Sequence, residues 1–172
     1  EIGRVVCRKE RETFTISRSD KPLKEYQIES LDSVEIQIPD EKRRDYTGVK
    51  YLQKDQVMLA DYNNNRVILV NSSYQYIDIF TLADKVRDIC LVDQQEVAVS
   101  LPLQKTLQFL SVTSGSIKPT RKIQTRYECW GIASAGKAKI VISGDCNDKG
   151  KHYWSLINST EKDEICHQFD CQ

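Results

Sequence analysis

Histidine is almost missing from this chain: only His152 and His167 occur among 172 residues. No two histidines stand at metal-binding spacing, and neither a Gly-x-Ser-x-Gly nucleophile turn nor a phosphate-cradling glycine-rich loop is present. Carboxylates are many but scattered through polar stretches, where charge serves solubility. These absences argue against an enzyme. Net charge is absent too, since 25 Lys plus Arg balance 25 Asp plus Glu. Bulk attraction to nucleic acid or anionic membrane therefore has no basis, and only the short clusters at Lys42 to Arg44 and Arg121 to Arg126 could form a basic face. Long apolar runs are lacking, none approaching the roughly 18 residues of a membrane span. Glu1 to Arg11 is too charged for a signal peptide, so the expectation is a soluble, cytoplasmic chain with no membrane partner. On that expectation the two sequons, Asn71-Ser72-Ser73 and Asn158-Ser159-Thr160, are chance matches.

Cysteine is present without a metal-binding pattern. Six occur, and Cys146, His152, Cys166, His167 and Cys171 crowd the last 30 residues, but no Cys-x-x-Cys pair accompanies them. Cys90 and Cys129, beside Ile89, Leu91 and Trp130, read as small core hydrophobes, and the terminal ones as incidental thiols in a reducing compartment. No metal site and no cofactor are expected.

What the chain does contain is a run of short apolar segments. Val57 to Ala60 and Val67 to Val70 flank the polar stretch Asp61-Tyr62-Asn63-Asn64-Asn65-Arg66, which reads as strand, turn, strand because Asn and Asp tolerate left-handed backbone. Gly48 to Leu52 precedes the pair and Tyr76 to Phe80 follows it, giving a four-stranded meander. The unit recurs. Arg87 to Val92, Glu96 to Leu101 and Lys105 to Phe109 overlay on it about 40 residues later, with Lys105 in the place of Arg66. Another copy begins at Trp130-Gly131-Ile132-Ala133, continues at Lys139 to Gly144 and, after a longer loop, at His152 to Ile157. Thr113 to Thr120 is rich in Gly, Ser and Pro and reads as an exposed turn before a strand around Lys122 to Gln124. Ile165 to Phe169 supplies either a last outer strand or a frayed end.

A period of roughly 40 to 43 residues with four strands per unit is the signature of a propeller blade. The sequence thus predicts an all-β, partial β-propeller of four-stranded antiparallel blades. Residues 46–172 hold about three blades, and residues 1–45 are either a further degenerate blade or an upstream connection.

Ala60-Asp61-Tyr62-Asn63-Asn64-Asn65-Arg66-Val67 resembles the core of an NHL repeat, and Gly48 to Ile132 resembles the C-terminal propeller of tripartite-motif (TRIM) proteins, particularly invertebrate ones. Ser100 and Ser143 depart from the motif by standing where Asp61 would be. The resemblance implies a non-catalytic module that recognises a protein partner or ubiquitination substrate for a ubiquitin ligase, whose RING domain is not in this sequence. An RNA-binding propeller and a self-associating scaffold are the alternatives, and a lyase-like or hydrolase-like propeller is the form an enzyme would take.

Two groups of residues are candidates for roles. Asp61, Asn64 and Arg66 read as structural turn residues, Asp61 capping backbone N–H groups and Arg66 pairing with a carboxylate. Tyr62, Asn63, Asn65, Arg87, Arg126 and Tyr127 read as partner-contacting residues, since they fall in loops on one rim, and aromatic plus Arg is interface chemistry as well as RNA-stacking chemistry.

Overall fold

The computed structural model describes residues 36, 38, 40, 42–136, 139–146, 151–158 and 164–168, with backbone only for Cys146, Lys151 and residues 164–168. The described strands make three antiparallel sheets. Blade 1 comprises β1 (Tyr46–Tyr51), β2 (Val57–Asp61), β3 (Arg66–Val70) and β4 (Tyr76–Thr81). Blade 2 comprises β5 (Ile89–Leu91), β6 (Glu96–Leu101), β7 (Thr106–Thr113) and β8 (Ser116–Gln124), and blade 3 comprises β9 (Gly131–Gly136), β10 (Lys139–Cys146), β11 (Lys151–Asn158) and β12 (Glu164–Gln168). In each blade the spatial order follows the chain order. Among the described residues the only helical element is a 3-10 turn at Pro102–Gln104.

The middle strands are apolar along their whole length because both of their faces are covered. Met58, Ala60, Val67 and Leu69 join Val97, Val99, Leu101 and Leu110 in a core between blades 1 and 2. On β6 the intervening Ala98 turns the other way, meeting Phe109, Ile140, Ile142 and Ile157 in a core between blades 2 and 3. The period of two thus splits one strand between two cores. On the outer face of blade 1, Leu59, Ile68 and Val70 are covered by Ile36 and Ile38. Of the region 1–45, read as a degenerate blade or a connection, residues 1–35, 37, 39 and 41 lie outside the described residues, as do Cys171 and the side chains of Cys166 and His167.

Blades are joined by more than apolar contact. Asp78 Oδ2 in β4 accepts the Ile117 N–H of β8 at 2.8 Å, and Asp88 Oδ2 accepts the Ile132 N–H of β9 at 2.9 Å. Backbones also approach closely at the junctions. A Cβ on Gly48 would lie 3.2 Å from the Asp88 Cα, and one on Gly144 would run into the Glu128 carbonyl.

Two expectations need correction. The turn read at Thr113 to Thr120 is only Ser114-Gly115, and β8 runs through Pro119; an outer-edge strand tolerates proline's missing N–H, and the ladder shifts register at Gln108/Leu110 beside it. Lys105 is not the counterpart of Arg66. It takes a left-handed backbone after the 3-10 turn, with φ 50°, and lies outside the ladder. The blade 2 turn is longer, so the residue paired with Ser100 is Leu107, where in blade 1 Arg66 pairs with Asp61. In blade 3 the corresponding partner of Ser143 is Trp154. At the C-terminus, Glu164–Gln168 pairs with β11 as a full outer strand.

Candidate partner-binding site

Hairpin turns and blade connections alternate between the two ends of the sheets. The front end gathers residues 42–45, the turn 62–65, the connection 82–88, the 3-10 turn and the connection 125–130. Every residue nominated from the sequence lies at this end.

Asp61, Asn64 and Arg66 form its foundation. Asp61 is fully buried, its Oδ1 accepting the Asp45 N–H at 3.3 Å, both of its oxygens facing Asn64 Nδ2 at 2.8 and 3.0 Å, and its Oδ2 accepting from Arg66 Nε at 2.8 Å. Asn64 Nδ2 also donates to the Arg43 carbonyl at 3.0 Å. Arg66 pairs with Asp40 as well, on the segment that carries Ile38. Burial alone would lower the Arg66 pKa, but its hydrogen bonds to Asp40 and Asp61 raise it. The same hydrogen bond from Arg66 holds the Asp40 carboxyl at about 2. The Asp61 position is reused in the next blade with different chemistry. Ser100 Oγ accepts the Asp88 N–H at 3.0 Å, as Asp61 accepts the Asp45 N–H, and its hydroxyl donates to the Trp130 carbonyl at 3.4 Å.

Above this foundation runs a row of alternating cations and rings. Lys85 Nζ lies 5.1 Å from the centroid of Tyr62, the Arg87 guanidinium 5.8 Å from Tyr62, and the same guanidinium 5.3 Å from Trp130. Such contacts hold a cation through its charge. The connection carrying Lys85 and Arg87 is tied down along its length. Its Val86 is fully buried, Asp84 accepts the N–H groups of Lys85 and Gln104, and the Arg87 N–H donates to the Ser100 carbonyl at 3.0 Å. Thr47 Oγ1 donates to the Val86 carbonyl at 3.3 Å, and the Trp130 N–H donates to the Ser143 carbonyl at 2.8 Å. Thr47, Arg87, Asp88, Trp130 and Gly131 line an open depression of about 390 Å³ at the junction of the innermost strands.

The other nominated residues are placed differently. Asn63 is exposed, and its carbonyl accepts from Lys85 Nζ at 3.1 Å. Asn65 takes a left-handed backbone with φ 53°, its carbonyl accepts the Leu82 N–H, and its buried Oδ1 has no donor among the described residues. Arg126 stacks over Tyr127, whose ring packs on Tyr153 at 4.8 Å against the core between blades 2 and 3. That pair stands apart from the lining of the depression. Of the expected basic clusters, Arg44 pairs with Asp40, and Arg121 pairs with Glu96 while lying 3.9 Å from the Phe109 centroid. Lys85 and Trp130 were not singled out from the sequence. Alternation in Lys85-Val86-Arg87, with apolar Val86 turned inward, was the signal that Lys85 shares the outward side with Arg87. His152, from the Cys/His-rich tail, is exposed with Nδ1 2.6 Å from Asp145 Oδ1.

No family model matches the chain, and no curated protein matches its sequence. Solved structures do resemble it. Hydrazine synthase of Kuenenia stuttgartiensis aligns over 70% of this chain and 37% of its own at 13% identity and a TM-score of 0.60. Virginiamycin B lyase of Staphylococcus aureus aligns over 75% of this chain and 43% of its own at 14% identity and a TM-score of 0.58. A functionally unknown protein from Desulfotomaculum acetoxidans aligns over 65% and 36% at 11% identity and a TM-score of 0.56. This chain spans less than half the length of each of these structures, and at such identities the likeness is one of fold: three consecutive blades of a β-propeller.

Proposed function

We propose that these blades are a non-catalytic protein-recognition module that contacts its partner at the front end. The observation that carries this reading is the row Lys85, Tyr62, Arg87, Trp130, in which aromatic rings and cations are held on buried supports at the edge of an open depression. Aromatic and Arg side chains fixed before binding lose little entropy when a partner arrives, which is the chemistry of interface hot spots. The finer reading is a TRIM-type ubiquitin ligase whose propeller selects the substrate in the cytoplasm. It rests on the NHL-like segment Ala60 to Val67 and the order of motifs from Gly48 to Ile132. RNA recognition has less support: Arg44 and Arg121, one from each basic cluster, are engaged with Asp40 and Glu96, and phosphate binding draws on several free cations.

The test is quantitative capture of partners from nuclease-treated lysate by the wild-type chain and by the double variant Tyr62→Ala/Arg87→Ala. The expected result is a set of proteins retained by the wild type and lost from the variant, with both chains melting at similar temperatures. Capture that disappears on nuclease treatment, together with tight and salt-steep binding of RNA, would replace this reading with the RNA-binding one.

A further inference from the structure

Resting on the reading of the front end as a partner-binding face, we infer that Arg87 is a carboxylate-binding residue and that the depression beside it takes a carboxylate of a peptide partner. Among the described residues the Arg87 guanidinium makes no hydrogen bond and no ion pair; its contacts are the rings of Tyr62 and Trp130. Arg44, Arg66 and Arg121 each face a carboxylate instead. A guanidinium carries five N–H donors in a planar fork. Cation–ring contact uses its charge and leaves those donors available, so Arg87 is held in place with its hydrogen-bonding capacity unspent.

The adjacent carboxylate, Asp88, lines the same depression, yet it forms no ion pair with Arg87 and is turned to other donors. Its Oδ1 accepts the N–H of its neighbour Ile89 and its Oδ2 accepts the Ile132 N–H in the next blade. The donors are therefore left for a ligand, and the group that fits a planar fork is a carboxylate accepting two parallel bonds. A protein carboxylate suits the site better than a nucleic-acid backbone. Only two cations, Lys85 and Arg87, stand in the row, and Lys85 already donates to the Asn63 carbonyl. Tyr62 and Trp130 each already have a cation against the ring, which leaves less open ring face for bases to stack on. The chain's formal charge of zero adds no longer-range attraction for phosphates.

The probe is the side-chain Nε–H signal of Arg87 in the intact, isotope-labelled chain, followed by NMR during titration. Three short peptides are compared: one with central Glu residues and both ends blocked, its Gln counterpart with a free C-terminal carboxylate, and the Gln counterpart fully blocked. The expected result is a saturable shift with a carboxylate-bearing peptide and none with the fully blocked Gln peptide. A response to the first assigns the source to an acidic side chain; a response to the second alone assigns it to a chain terminus. Arg87→Lys keeps the charge and the fold but loses the planar fork, and should weaken binding about tenfold or more, whereas Lys118→Gln on the exposed edge of β8 should leave it unchanged. If no carboxylate peptide moves the signal while partner capture still depends on Tyr62 and Arg87, the carboxylate assignment is wrong and the protein-binding reading stands. If oligouridylate moves the signal with steep salt dependence and the peptides do not, both are wrong.

Discussion

Asp61 is wholly enclosed, and a buried carboxylate is tolerated only when its lone pairs are met. Here the Asp45 N–H, the Asn64 amide and the Arg66 guanidinium meet them. Arg66→Ala removes a partner from a fully buried ion pair, and should cost ~3–5 kcal/mol of unfolding free energy in denaturant titration. Asp40 gives the same network a pH dependence. Its folded-state pKa is depressed from an ordinary 3.8 to about 2, so its contribution is fully present above 3.8 and is lost as pH falls toward 2. Stability measured across that window should fall with acid, and Asp40→Asn should flatten the slope. The buried thiols behave in the opposite sense. Burial, reinforced by the Asp88 charge, pushes Cys90 up to about 11, and burial raises Cys129, whose Sγ donates to the Thr106 carbonyl at 3.5 Å. Both should resist alkylation in the folded chain at pH 8 and react on unfolding, as mass spectrometry of the labelled peptides would show.

At the scale of strands and turns, the chain was legible where side-chain pattern and backbone preference agree. β6 is found at Glu96–Leu101, the apolar segment that the repeat overlay marks, and the Asn-rich turn between β2 and β3 holds Asn65 at positive φ as its composition demands. Legibility failed where a local signal met a tertiary one. Pro119 reads as turn punctuation, yet an outer strand has an edge on which a missing N–H costs nothing. The 3-10 turn at Pro102–Gln104 displaced Lys105 from the ladder, because an overlay at fixed period has no means of locating an insertion. The row at the front end was half legible. Tyr62 and Arg87 announce themselves as loop aromatic and loop cation, whereas Trp130 reads as part of a strand motif and only the junction of blades brings it beside Arg87. Glycine at the junction between blades 2 and 3 is a sharper test of that assembly. Gly144→Ala has no room against the Glu128 carbonyl, which also accepts the Tyr153 hydroxyl at 2.9 Å. It should lower the melting temperature by several degrees, on the order of 1–3 kcal/mol, while Gly136→Ala, at positive φ but with open space around it, should cost less.

On the scale of the whole molecule, one blade cannot be treated apart from its neighbours, since β6 contributes to both inter-blade cores and Asp88 and Asp78 tie adjacent sheets. The described blades should therefore melt together: Trp fluorescence, reporting on Trp130 and Trp154, and far-UV circular dichroism should trace one transition, and two separated transitions would show that blade 3 folds on its own. This rigidity is what the functional proposal depends on, because a guanidinium can be poised between rings on different blades only if the blades keep their places. The most direct measurement is the Arg87 Nε–H resonance in the ligand-free chain, compared with that in Trp130→Ala and Tyr62→Ala. A poised guanidinium predicts a signal displaced by ring currents that moves back toward the free-arginine position in each variant. A signal already at the free-arginine position, and indifferent to both substitutions, would mean that the row is not formed in solution and that the front end is not a prepared binding face.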